Sequence, residues 1–152
     1  MKQIRIKVNK IIERFLVLIL VGMVLNVIWQ VFTRFFTSSP SAFTNELARY
    51  LMIWLGILGA AYISGKQEHV AIDFFVKKLN NSVRRFIDRF VLLSILSFAF
   101  FVMIIGGINL VYITLKLEQY SPSLQIPLGL VYSIIPISGL LIIFYKVTQE
   151  KS

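Results

Sequence analysis

Residues 90–115 read FVLLSILSFAFFVMIIGGINLVYITL. No charged side chain interrupts them; Arg85 and Arg89 come before and Lys116 directly after. About 20 predominantly apolar residues are enough for a helix to cross the ~30 Å hydrocarbon core of a bilayer. Counted over residues 85–115 at about 1.5 Å per residue, a full helix would be roughly 45 Å long. It must tilt or project beyond the core. This stretch predicts a transmembrane helix, and the rest of the chain follows the same pattern.

The chain has 152 residues, 57% of them hydrophobic, and a mean hydropathy of +0.79. Soluble domains are usually ~45–50% apolar. The excess falls into three more runs. Span one covers about 11–36, behind a basic tail. A signal peptide also starts basic, but its apolar region is only ~7–15 residues and ends at a small-residue cleavage site. This run is longer and no A-x-A pattern follows, so a retained helix is expected. Span two covers about 46–64, after a loop at 37–41 rich in serine, with Thr44 or Asn45 as its cap. Span four covers about 127–145. Pro127 suits its first turn, and Pro136 should kink it against the carbonyl of Tyr132.

The predicted fold is therefore all-α, an integral membrane protein forming one four-helix transmembrane domain over residues 1–152. Spans two and three are joined by a charged connector at 65–84. Its residues 70–79 are apolar but too short to span. As a helix they place Asp73, Lys77, Asn80 and Asn81 on one stripe, the pattern of an amphipathic helix lying in the membrane interface. A loop packing Phe74 and Phe75 on neighbouring helices is the alternative.

Net charge is +9. In a soluble chain this would suggest nucleic acid. Here the basic residues cluster beside apolar spans, as topology signals do, so the expected contact is the lipid bilayer, with no nucleic-acid partner. Lys2, Arg5, Lys7, Lys10 and Arg14 precede span one. Lys66, Lys77, Lys78, Arg84, Arg85 and Arg89 lie in or near the connector, and Lys146 and Lys151 in the tail. The two other loop regions carry Arg34, with Arg49 just inside span two, and Lys116. Both termini and the connector are thus expected in the cytoplasm.

The chain has no cysteine, which excludes disulfides, a thiolate metal site and a cysteine nucleophile. One histidine, His69, cannot supply a haem or zinc cluster alone. No Ser-His-Asp order or glycine-rich phosphate loop is present. No catalytic, cofactor or metal residues, and no enzyme activity, are expected.

Polar groups inside a membrane are costly and are the first functional candidates. Gly22, Asn26, Gln30 and Arg34 recur every fourth residue on one face of span one. They would line a substrate path or bond to neighbouring helices. The absence of a carboxylate near the bilayer middle favours the second. Glu46 and Arg49, at i and i+3, can pair, with Tyr50 beside them and Arg34 at the same level. Gly56, Ala60 and Ser64, with Gly59, form a small-residue seam for close helix approach. Its partner is either another span of this chain or a partner subunit; the internal case is preferred, since span two must pack on its own neighbours first. Trp29 and Trp54 read as packing or interface anchors. His69 with Asp73 at i+4 could serve a metal or a proton relay, but a structural hydrogen bond is preferred.

These residues carry a resemblance. Glu46-x-x-Arg49-Tyr50-x-x-x-Trp54, Gly59-Ala60, Lys66-Gln67-Glu68-His69-x-x-x-Asp73, Ile126-Pro127 and the Pro136 region are similar to the small membrane subunit (DctQ type) of tripartite ATP-independent periplasmic (TRAP) transporters. The resemblance implies a scaffold subunit in the bacterial inner membrane, with no cofactor of its own. It implies a separate large, multi-span subunit carrying the substrate and sodium sites, and a periplasmic binding protein delivering an organic acid. The run Lys66 to Phe74 is closest to sialic-acid versions, with C4-dicarboxylates the other possibility. As the chain stops after span four, the large subunit is expected on another polypeptide. The competing reading is a self-sufficient four-helix transporter working as a homodimer. It needs a membrane-embedded carboxylate, and Glu13 and Glu46 sit at opposite edges.

Overall fold

A computed structural model describes residues 2–37, 42–66 and 81–149. Four of its helices are long and apolar enough to cross a membrane. The elements in order are α1 (Lys2–Thr37), α2 (Ala42–Gly65), α3 (Asn81–Ser97), a π-helical segment (Phe98–Gly106), α4 (Gly107–Lys116), α5 (Leu128–Tyr132) and α6 (Ile134–Gln149). Valine and isoleucine are mediocre helix formers in water. In hydrocarbon the helix prevails because it satisfies every backbone N–H and C=O within one segment.

Helix α1 begins at Lys2, well ahead of its apolar run, so the basic tail is part of the helix. Span three continues through the π-helical segment as one rod. The flanking residues keep helical angles, Ser97 at φ −61°, ψ −48° and Gly107 at φ −65°, ψ −42°. The expected interfacial helix of the connector, with His69 and Asp73, lies outside the described residues.

Span one packs on span two, span two on α6, and α6 on the π-helical segment. Span four is therefore the innermost. In its most apolar stretch 33% of residues are buried, against 11–17% in the other three spans. Ile19, Leu58 and Ile134 form one buried cluster; Ala61, Ala99 and Ile142 form a second.

Lipid tails are as apolar as leucine, so close fit rather than hydrophobicity must hold these helices together. Small residues supply that fit. A Cβ on Gly65 would lie 2.8 Å from the Tyr145 ring, one on Gly107 2.9 Å from Pro136 Cδ, and one on Gly139 2.9 Å from Met103 Cβ and 3.1 Å from the Ala99 carbonyl. The preference for an internal partner of the small-residue seam is corrected here. Gly56 and Ala60 are exposed, and a Cβ on Gly56 or Gly59 would meet nothing within 4 Å. The inner face of α2 is instead the one carrying Leu58, Ala61 and Gly65, all buried. Ala60→Leu is accordingly expected to leave the isolated chain's melting temperature and membrane abundance unchanged, with a stability change within about 0.5 kcal/mol. Fluorescence-detected size-exclusion chromatography of the variant checks this.

Span four breaks at Ser133, between α5 and α6. Pro136 has no N–H for the carbonyl of Tyr132 and its ring crowds that turn, so the helix interrupts there. The Trp54 indole Nε1–H donates to the Val131 carbonyl beside the break at 3.0 Å. A tryptophan read as an anchor thus also satisfies backbone that the break leaves short of partners.

Candidate functional site

Several polar side chains of spans one and two gather at the loop end of α1 and α2. Asn26, 6% exposed, donates from Nδ2 to the Thr44 carbonyl at 2.8 Å. One helical turn further, Gln30 Nε2 donates to Asn45 Oδ1 at 2.5 Å. The four-residue spacing puts both amides on one face of α1, which meets the start of α2. Of the two sequence-based readings for this ladder, the geometry is that of helix-to-helix bonding.

Glu46 does not turn toward Arg49. Its carboxylate is 9% exposed and its Oε2 accepts from the backbone N–H of Ser123 at 2.9 Å and of Leu124 at 3.0 Å. Tyr50 Oη–H donates to Oε1 at 3.3 Å. Arg49 and Arg34 are exposed. The segment that Glu46 holds is the loop between α4 and α5, folded on itself. Ser121 N–H bonds to the Ile126 carbonyl at 2.9 Å and Leu128 N–H to the Gln119 carbonyl at 2.9 Å. Glu118 and Gln125 take positive φ of 48° and 54° to close it. An anion accepting two backbone N–H groups is a strong, charge-assisted clamp. Glu46→Ala is expected to release the loop, raising amide hydrogen exchange at Ser123 and Leu124 by roughly tenfold or more, as loss of hydrogen bonds to a charged group implies. Glu46→Gln keeps one acceptor oxygen and should lose less. Unchanged exchange in Glu46→Ala would show that the loop holds itself.

A small apolar groove of about 230 Å³ lies beside this clamp, lined by residues including Leu51, Trp54, Ile126 and Leu130. Its lining offers little that could bind the charge of an organic acid. Among the described residues no group of three or more His, Asp or Glu could hold a metal ion.

At the opposite end the first turns of α1 meet the last turns of α2 and α6. Arg5 donates to the Gly65 carbonyl. Tyr145 Oη–H donates to Asn9 Oδ1 at 2.7 Å, and Tyr62 Oη–H to Glu13 Oε2 at 3.4 Å. The sequence reading missed all three, since no local pattern pairs residues so far apart in the chain. Of its own candidates, Asn26, Gln30, Glu46, Tyr50 and Trp54 come together in tying spans and loop. Gly56 and Ala60 face outward.

The family described as "Tripartite ATP-independent periplasmic transporters, DctQ component" matches residues 23–149. A TRAP transporter small permease protein of Haemophilus influenzae is 30% identical over 145 residues, 93% of this chain and 86% of that one. The C4-dicarboxylate TRAP transporter small permease protein DctQ of Rhodobacter capsulatus is 36% identical over 102 residues, 66% of this chain and 44% of that one. The sialic acid TRAP transporter small permease protein SiaQ of Vibrio cholerae is 32% identical over 84 residues, 55% of this chain and 49% of that one. With a four-span helical fold and a family match over most of its length, the chain belongs to the small permease subunits of TRAP transporters. It is a multi-pass membrane protein.

Proposed function

We propose that this subunit is a fixed scaffold for a separate large membrane subunit that carries the substrate and sodium sites. The observation that carries this reading is where four polar side chains of spans one and two go. Asn26, Gln30 and Trp54 bond to a neighbouring span, and Glu46 to a loop. That leaves them committed to holding the helices rather than to a substrate. A periplasmic binding protein delivers an organic acid to the pair. Sialic acid is favoured by the connector run Lys66 to Phe74, and a C4-dicarboxylate is the other candidate, in keeping with relatives named for each. The subunit performs no catalysis and holds no cofactor. It sits in the bacterial inner membrane with both termini cytoplasmic, as the placement of lysine and arginine favours.

Reconstitution tests the reading. The chain alone in proteoliposomes should move neither acid under a sodium gradient, while the chain with its large subunit and binding protein should accumulate one of them. Uptake by the chain alone would sink the scaffold role in favour of a self-sufficient transporter.

A further inference from the structure

Helix α1 leaves three cations uncommitted on one face. At about 100° per residue, Arg5, Asn9, Ile12, Leu16 and Ile19 fall on the side turned to the bundle, and of these Ile12 and Ile19 are buried outright. Lys7, Lys10 and Arg14 fall on the opposite side and are all exposed. Three other basic groups at this end are engaged, while Arg89 on span three is exposed. Arg5 bonds to the Gly65 carbonyl, Lys66 Nζ sits 4.7 Å over the Tyr62 ring, and Lys146 is buried and partnered. Lys7, Lys10 and Arg14 have no hydrogen-bond or ion-pair partner among the described residues. The nearby carboxylate, Glu13, bonds to Tyr62 on the flank facing α2.

Lys7, Lys10 and Arg14 lie beyond the first turn of α1, where the helix dipole has faded. Their own charges, only partly offset by Glu13, attract an anion.

What lies next along the same face identifies that anion. Val17, Leu18, Val21 and Leu25 continue the stripe, all exposed. Lys10, Glu13, Arg14, Val17 and Leu18, all on α1, border one shallow, open surface. A basic rim over an aliphatic wall suits a molecule with an anionic head and a hydrocarbon tail. A soluble acidic protein has no complement for the wall, and inorganic phosphate leaves it bare.

We infer that Lys7, Lys10 and Arg14 hold the phosphate headgroup of an anionic phospholipid whose acyl chain lies along Val17, Leu18 and Val21. Arginine meets phosphate through a planar fork of donors. The lysines reach it by laying their methylene stems along the helix.

Native mass spectrometry of the full chain in detergent, offered equal phosphatidylglycerol and phosphatidylcholine with matched acyl chains, tests this. Each basic residue near an anionic headgroup strengthens binding about fivefold, so three give a preference of roughly a hundredfold for phosphatidylglycerol. The triple variant Lys7→Gln, Lys10→Gln, Arg14→Gln should reduce that preference about tenfold or more. The charge-conserving triple variant Lys7→Arg, Lys10→Arg, Arg14→Lys should keep it. Basic residues also guide membrane insertion, so the wild-type comparison is decisive by itself. Equal retention of both lipids by wild type overturns the site. So does a preference that is undiminished in the folded glutamine variant. Displacement of phosphatidylglycerol by inorganic phosphate alone would mark a simple anion site. Its displacement by the large subunit would make the face a protein interface. Either result refutes a lipid site. The assay reads no transport, so it stands or falls separately from the scaffold reading.

Discussion

Gly139→Leu is expected to separate spans three and four. Position 139 faces the π-helical segment so closely that even a methyl group would lie 2.9 Å from Met103 Cβ, 3.0 Å from Ile104 Cγ1 and 3.1 Å from the Ala99 carbonyl. A backbone carbonyl cannot rotate away as a side-chain tip does. Enlarging a well-packed site costs ~1–3 kcal/mol or more. Span four is the innermost helix, so the damage should spread to its contact with α2. Gly107→Leu should behave alike, because it meets Pro136, whose ring is rigid. Gly56→Leu is the matched control. It adds the same side chain to an exposed face of α2 and should change stability by no more than about 0.5 kcal/mol. Thermal unfolding of the three purified variants should place Gly139→Leu and Gly107→Leu well below wild type and Gly56→Leu level with it. Equal melting of Gly139→Leu and Gly56→Leu would mean that the spans do not meet at Gly139.

The second large effect is expected at Tyr145, which has 0% exposure. Its ring covers Gly65 and its hydroxyl donates to Asn9 at 2.7 Å, so one side chain joins α1, α2 and α6. Truncating a buried aromatic to alanine costs ~3–5 kcal/mol in a soluble core. Part of that cost is transfer from water, which a lipid reference reduces. About 2–3 kcal/mol is therefore expected for Tyr145→Ala. Tyr145→Phe keeps the ring and loses one hydrogen bond, at ~0.5–1.5 kcal/mol. Denaturant unfolding in mixed micelles should rank wild type above Tyr145→Phe and both above Tyr145→Ala. A phenylalanine variant as unstable as the alanine one would mean that the Asn9 bond, not the ring, holds this end together.

The four spans were legible because length and hydropathy answer directly to bilayer thickness. The amide ladder was legible too. Four-residue spacing puts Asn26 and Gln30 on one face whatever they meet, and unpaired amides in a membrane must meet something. The inner face of α2 was not. Gly56 and Ala60 on one side of α2, and Ala61 and Gly65 on another, look equivalent in a helix surrounded by apolar residues. In water the polar face would mark the outside; in lipid neither side is marked. The partner of Glu46 was hidden for another reason. Arg49, three residues away, offered a local pair, while the backbone amides that Glu46 binds lie 77 and 78 positions along the chain. Serine and proline at Ser121, Pro122 and Ser123 favour a turn but do not say where it docks. The break at Ser133 was foreshadowed by Pro136, although nothing nearby pointed to Trp54 as the donor that serves it.

A fixed scaffold keeps its helices in place while its partner moves substrate, and bridging the spans tests that most directly. The chain has no cysteine, so introduced thiols would be its only ones. Cysteines in place of Gln30 and Asn45, bonded at 2.5 Å, and of Glu13 and Tyr62, bonded at 3.4 Å, would join spans one and two at both ends. A short cleavable bifunctional thiol reagent makes the bridges in the transporter assembled with its large subunit and binding protein. Uptake should be the same in bridged and unbridged complexes. Uptake that stops on bridging and returns when the linker is cleaved would show that these helices must move, and the subunit would not be a scaffold.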